Sequence, residues 1–209
     1  MQKKIMVAGS GTGVGKTVVS AVLTTLLQGD YWKPIQCGDE EISDTVQMRT
    51  LIELAKHKIH PPAYSLKAPL SPHHAARLEN RLIHLNFKPP QTVRPLIIES
   101  VGGVFVPLTT EKLTLDLFKR WNAIWVVVSR HYLGSINHTL LTIEALKRHR
   151  IPIAGLIFNG EPNPDSEAAI LKISRIPLLG RLLPEKNLNL QTIKRYAKQW
   201  QPQINLLVP

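Results

Sequence analysis

Cys37 is the only cysteine among the 209 residues, and a lone thiol can form neither an intrachain disulfide nor a cysteine-rich zinc cluster. A reduced, cytoplasmic protein is therefore expected. Long apolar runs are also missing. The most apolar stretch, Ala123 to Val128, falls far short of the roughly 20 residues that a membrane helix needs. Lys3 and Lys4 precede only the brief run Ile5 to Ala8, too short for the apolar core of a secretory leader. Neither a membrane span nor a cleaved leader is expected. The histidines offer no metal spacing: His57 and His60 flank a break, His73 and His74 are adjacent, and no HExxH pattern occurs. Acidic residues are scarce, 15 against 26 Lys and Arg, which gives a formal charge of +11. Such a balance raises the question of nucleic acid, because neutralising phosphates drives non-specific binding. The basic residues, however, are spread along the chain. Their one modest cluster is Lys147, Arg148, His149 and Arg150, with no Arg-rich arm and no aromatic-interleaved run. The expectation is a basic, solvated surface that favours small anionic substrates, with no nucleic-acid partner.

What is present is an alternation. Apolar runs of four to seven residues, rich in Ile and Val, alternate with amphipathic stretches of ten to fifteen, the signature of βαβ units and a parallel sheet. Strands are predicted at Lys4 to Ala8, Trp32 to Ile35, Leu96 to Glu99, Ala123 to Val128, Ile153 to Phe158 and Leu178 to Leu182. Helices are predicted at Lys16 to Leu27, Ser43 to His57, Thr114 to Trp121, Ser135 to His149, Asp165 to Ile173 and Leu190 to Trp200. The Pro-bearing region His60 to Pro95 reads as an insertion of loops around a short helix, Pro72 to Glu79. No internal repeat or low-complexity tract interrupts the series. With a glycine-rich segment, Gly9 to Thr17, ending in Gly-Lys-Thr after the first strand, the expected fold class is α/β, a single P-loop NTPase domain over residues 1–209 with a mainly parallel sheet and helices on both faces. In such sheets ligands sit at the carboxyl ends of the strands.

The strongest motif is Gly9-Ser-Gly-Thr-Gly-Val-Gly-Lys-Thr17, set between the first strand and the first helix. Its glycines let successive backbone N–H groups converge on an anion at a helix N-terminus. Lys16 would reach the β- and γ-phosphates, and the Thr17 hydroxyl would ligate Mg²⁺. Five residues separate Gly9 from Gly15, where the usual pattern has four. Other strand ends carry further candidates. Lys33 either projects into the same cleft towards a second anion or is an exposed strand-end lysine. Cys37 is read as a small buried thiol, since no acidic or histidine partner is specified. Glu40 and Glu41 read as first-turn acids serving the helix dipole, while Asp44 has the chemistry of a hard oxygen ligand. Glu99 ends an apolar strand where a P-loop ATPase places its second metal acid. The segment Leu133 to Thr139 opens a helix at Gly134 and Ser135, where exposed N–H groups would form a second anion site. Asn159 either faces a base edge or is a turn asparagine before Gly160.

With these motifs assembled, the chain resembles the dethiobiotin synthetases, the ATP-dependent enzymes of biotin synthesis. The segments carrying the likeness are Gly9 to Thr17, Tyr31 to Gly38, Pro69 to Ala76, Glu99 to Leu108, Leu133 to Thr142 and Gly155 to Asn159. The resemblance implies that Gly13, Val14, Gly15, Lys16, Thr17 and Val18 hold ATP, with Thr17, Asp44 and Glu99 around Mg²⁺. It implies that Lys33, Lys16 and Thr12 serve the chemistry, and that Lys33 meets the carbamate beside Cys37. Asn159 would face adenine, and Leu183, Pro184 and Glu185 the face of the purine. A homodimer is implied, in which Ser135, Ile136, Asn137 and His138 of one subunit receive the carboxylate of 7,8-diaminononanoate bound to the other. CO₂ would be the remaining substrate. The sequence departs from the family's habit at Gly11, where an aspartate is common, at Ser100 and Val101, and at Cys37. The rival reading is a P-loop switch ATPase of the partition or septum-positioning type. Its signature lysine would fall at Gly11.

Overall fold

A computed structural model of the protein describes residues 2–38, 41 and 43–205. Among these the chain runs through β1 (Lys4–Gly9), α1 (Lys16–Leu26), β2 (Asp30–Trp32), β3 (Ile35–Cys37), α2 (Asp44–Leu51), β4 (Ile59–His60) and β5 (Tyr64–Leu66). It continues through α3 (Pro72–Leu78), β6 (Leu96–Gly103), α4 (Thr114–Phe118), β7 (Ile124–Arg130), α5 (Ser135–Arg148), β8 (Ile153–Asn159), α6 (Pro164–Ser174), β9 (Leu178–Leu182) and α7 (Leu190–Asn205). Seven strands form one sheet in the order β4-β2-β6-β1-β7-β8-β9, and every pairing in it is parallel. β1 therefore lies at the centre, with the chain first winding to one side of it and later to the other. Open sheets of this kind place their crevice beside such a reversal, at the carboxyl ends.

The apolar runs are continuous because the sheet is covered on both faces. Met6 and Ala8 face one core with Ile98, Trp125 and Val127. Ile5 and Val7 face the other with Val22, Ile97 and Val126. The stripe Ile193, Tyr196, Ala197, Trp200 and Ile204 buries α7 against this second core. Ile204 carries that stripe beyond Pro202, so α7 ends five residues later than predicted. No helix among the described residues is long and apolar enough to cross a membrane.

Three local departures from expectation bear on the site. The predicted strand Trp32 to Ile35 is two strands, because Pro34 has no N–H for a ladder and the chain turns there. β3 leaves the main sheet and pairs with β5, so the predicted loop insertion contributes one strand to a second, two-stranded parallel sheet. The helix predicted from Ser43 to His57 stops at Leu51, after which Ile52 turns extended and buries its side chain. Ser43 is its N-cap, accepting from Val46 N–H at 3.3 Å, so Glu41 lies ahead of the first turn rather than in it. Glu40 lies outside the described residues.

Candidate active site

The glycine-rich segment folds back on the end of β1 so closely that only glycine fits at position 9. A Cβ there would lie 2.7 Å from the Gly11 carbonyl oxygen and 3.1 Å from Lys16 Nζ. Val14 is buried against the same point, which leaves the loop's backbone as its functional face. Gly15, at φ +96°, precedes α1 with no side-chain cap, and the first turn of α1 carries no acid. Its leading N–H groups therefore have no side chain of their own turn to serve, which suits an anion. Lys16 is buried and donates to the Gly11 carbonyl at 2.9 Å. Burial pushes its ammonium down to about 8, with Glu99 pulling the other way and Lys33 adding to the fall.

The end of β2, the middle of β6 and the start of α2 bring the predicted acids and the second lysine together. Thr17 Oγ1 lies 2.6 Å from Asp44 Oδ1 and 3.0 Å from Glu99 Oε1, so its single proton serves one carboxylate at a time. Lys33 Nζ is 2.9 Å from Glu99 Oε1 and pairs directly with Asp44 Oδ2. It is 5% exposed, which corrects the alternative of an exposed strand-end lysine. Burial alone would lower the Lys33 ammonium, but Glu99 and Asp44 hold it above its ordinary value. Burial would likewise raise the Asp44 carboxyl, and the Lys33 ammonium with the Thr17 hydroxyl holds it below the usual range. Sequence reasoning missed one member. Tyr31 O–H donates to Glu99 Oε2 at 2.7 Å from a fully buried position. Only the parallel register of β2 and β6 could have signalled it.

Lys16, Thr17, Lys33, Asp44 and Glu99 line one cavity of about 670 Å³, together with Thr12, Gly13, Gly15, Val18 and Cys37. The thiol of Cys37 is half-buried, and burial pushes it up to about 11 against a smaller opposing pull from Lys33. Its alkylation by iodoacetamide is expected to be slow at pH 7 and to accelerate about tenfold per pH unit up to about 11. A mass-spectrometric rate profile levelling off near pH 8 would contradict this.

Other predicted residues lie elsewhere. Asn159 closes β8 and donates from Nδ2 to the Val14 carbonyl at 2.8 Å, lying so close that a Cβ on Gly15 would be 2.3 Å away. Gly160 N–H bonds the Leu182 carbonyl at 2.9 Å, which joins Asn159 to the Leu183–Pro184–Glu185 loop. Tyr196 of α7 fixes that loop: its hydroxyl accepts from Leu183 N–H at 3.1 Å and donates to Glu185 Oε1 at 2.5 Å. Leu183 and Glu185 line a second cavity, of about 620 Å³, between β9 and α7. Ser135, Ile136, Asn137 and His138 form the first turn of α5, outside the cavity that holds the two lysines. There Ser135 is buried, Ile136, Asn137 and His138 are exposed, and His138 Nδ1 lies 2.7 Å from the Tyr132 hydroxyl.

The chain has close relatives among characterised families. Residues 3–192 match the family described as AAA domain. A protein of Christiangramia forsetii named ATP-dependent dethiobiotin synthetase BioD is 42% identical over 205 residues, covering 98% of this chain and 99% of its own. One of the same name from a Bradyrhizobium strain is 47% identical over 189 residues, covering 88% and 90%. Solved structures share the fold at low identity. A plasmid partition protein of Borrelia burgdorferi bound to AMPPNP has a TM-score of 0.62 at 13% identity, covering 99% of this chain and 98% of that one. The cell division ATPase MinD of Pyrococcus furiosus has 0.60 at 15%, with both chains covered in full. At such identity the solved structures show the fold alone, and the family is given by the sequence likeness along almost the whole chain: the protein belongs to the dethiobiotin synthetase family.

Proposed function

We propose that the protein closes a cyclic urea: with ATP, it carboxylates 7,8-diaminononanoate and converts it to dethiobiotin, releasing ADP and phosphate. The observation that carries this reading is the convergence of two buried ammonium groups, Lys16 and Lys33, on one cavity at the end of β1. CO₂ and one amine form a carbamate, which is too poor an electrophile to close a ring. Transfer of the γ-phosphoryl to the carbamate oxygen gives a carbamic–phosphoric anhydride, which the second amine attacks as phosphate leaves. Bringing a carbamate oxygen to a γ-phosphate sets anion against anion, so fixed positive charge at the meeting point is what the transition state requires. Lys16, on the phosphate loop, would clamp the phosphates. Lys33, entering from the other side of the cavity, would neutralise the carbamate and the phosphoryl in flight. No protein nucleophile is needed, in keeping with a Cys37 thiol held in its protonated form.

The donor set fits Mg²⁺. The Thr17 hydroxyl and the Asp44 and Glu99 carboxylates are hard oxygens within 3.0 Å of one another through Thr17 Oγ1. Such an ion, held by these three groups, supplies charge neutralisation at the phosphate oxygens. Asn159 and the Leu183 to Glu185 loop would hold the adenine, supported by the bond that ties the two together. A homodimer completes the reading, in which the exposed first turn of α5 takes the substrate carboxylate in the partner's site. Exposed Tyr132, Leu133 and Ile136 around that turn support a buried contact there. A cytoplasmic location belongs to the same reading, supported by the single free thiol.

The test is to incubate purified protein with ATP, Mg²⁺, bicarbonate and 7,8-diaminononanoate and to follow ADP and a cyclic urea by mass spectrometry. Both products are expected in equal amounts, and ATP turnover indifferent to the diamine would refute the proposal.

A further inference from the structure

β2 and β6 pair in parallel with Tyr31 opposite Ile97, which puts Glu99 two residues further along β6 and on the same face. Two residues of strand span about 6.6 Å. A tyrosine ring with its hydroxyl bridges that gap, and the resulting O–H···Oε2 bond measures 2.7 Å. A phenylalanine would fill the same space without a donor, and a shorter side chain would not reach. The two oxygens of Glu99 are thus divided between two surroundings. Oε1 is shared by Thr17 and Lys33 on the side of the cavity, and Oε2 is held from within the core, where Tyr31 is its hydrogen-bond donor. Glu99 is 1% exposed and Tyr31 fully buried. Tyr31 belongs to the buried core that also holds Val18, Val22, Ile97 and Met48.

We infer that Tyr31 is a positioning residue for the cation site: it fixes the Glu99 carboxylate in the one orientation that presents Oε1 to Thr17 and Lys33. The inference rests on the reading of Glu99 as a ligand. Without the hydroxyl, Oε2 has no donor among the described residues, and the carboxylate turns to share both oxygens with Lys33. The cation site then loses its preset geometry although every ligand is still present. Supporting groups of this kind typically change metal affinity by about 10- to 100-fold.

The experiment titrates the whole protein with Mn²⁺ in the presence of ADP and counts free Mn²⁺ by electron paramagnetic resonance, for wild type, Tyr31→Phe, Glu99→Gln and Ile97→Val. Ile97→Val removes a methyl group from the same core beside Tyr31 and controls for loosened packing. The expected result is Mn²⁺ affinity weakened about tenfold in Tyr31→Phe, at least as much in Glu99→Gln, and unchanged in Ile97→Val. In turnover, Tyr31→Phe should need more Mg²⁺ for half-maximal rate yet regain most of its kcat at saturation. Because Phe keeps the ring, the variant should fold, and its circular dichroism checks this. If Tyr31→Phe binds Mn²⁺ like wild type while Glu99→Gln is weakened, Tyr31 only packs; the positioning role is wrong and the cation site stands. If Glu99→Gln also binds like wild type, Glu99 is no ligand, and the inference falls together with that reading. Equal weakening in Ile97→Val and Tyr31→Phe would also overturn it, by assigning the effect to packing.

Discussion

Replacing Lys33 with methionine is expected to lower kcat by roughly 10²- to 10³-fold while ATP affinity stays within about threefold. The asymmetry follows from where the two lysines stand. Lys16 leaves the phosphate loop itself, whereas Lys33 comes from the end of β2 and, among the described residues, forms its ion pairs with the two carboxylates Asp44 and Glu99. It contributes nothing to the nucleotide's cradle and everything to the point where the second anion must arrive. A change confined to kcat is the mark of an interaction made only in the transition state. The same substitution has a second consequence. Lys33 neutralises the buried Glu99 carboxylate as well as the partly exposed Asp44, and removing one partner of a buried pair costs about 3–5 kcal/mol. In a chain of this size that corresponds to a Tm lower by roughly 10 °C. Mg²⁺ with ADP should recover part of the loss if, as proposed, Asp44 and Glu99 would hold the ion. Steady-state kinetics, nucleotide titration and calorimetric melting check the three statements, and an unchanged kcat would remove Lys33 from the chemistry.

The central β1–loop–α1 unit could be read directly from the sequence because each of its signals is local. Four apolar residues, a run of glycines and a lysine–threonine pair specify strand, turn and helix start with no distant partner. The strand end carrying Asn159 was equally legible, since a parallel sheet with both faces covered needs uninterrupted apolar runs and the polar residue that closes one stands at the rim, whereas Glu99, expected to end its strand, lies inside β6, which runs on to Gly103. What remained hidden depends on pairing. The short strand β5 is only Tyr64-Ser-Leu66, and nothing within those three residues says that they pair with Ile35 to Cys37. Pro34 hints at the break but not at where the chain goes next. The Tyr31–Glu99 bond depends in the same way on the register between strands 66 residues apart in sequence. The third hidden group is Glu167, buried on α6, bonded to Arg181 of β9 at 2.6 Å and lying 3.2 Å from His131 Nε2 after β7. It lies in the first turn of α6 beside Asp165, and nothing local in the sequence sets it apart from a solvated acid. Burial would raise its carboxyl, but Arg181 and His131 hold it below the usual range. It thus ties together three elements around the strand ends that carry Asn159 and the Leu183 to Glu185 loop.

ATP affinity is expected to fall about tenfold for each pH unit above about 8, and Lys16→Met should lose about 100-fold or more at pH 7. Both follow from the burial of one ammonium. In the open chain a lysine titrates at 10.5, whereas in the folded protein burial brings Lys16 down to about 8. Between those values the unfolded chain holds a proton that the native one has released, so native stability rises with pH across that window. Below pH 8 the folded protein carries a desolvated charge at a cost of about 3 kcal/mol. Phosphate oxygens reverse that balance, because the protonated form is the one that binds them. The nucleotide complex should therefore hold Lys16 charged well above pH 8, and the free protein must take up a proton in order to bind. Calorimetry of ATP binding in two buffers of different ionisation enthalpy should show uptake of about one proton at pH 9 and almost none at pH 7. The uptake at pH 9 should vanish in Lys16→Met, which has nothing to protonate. Lys33 makes the opposite control. Glu99 and Asp44 already hold it above its ordinary value, so it is charged at both pH values and contributes no uptake. Equal proton counts at pH 7 and pH 9 in the intact protein would place the phosphate clamp on another group. The observed difference would instead show that burial keeps Lys16 poised to gain its proton, and its full charge, only when phosphate arrives.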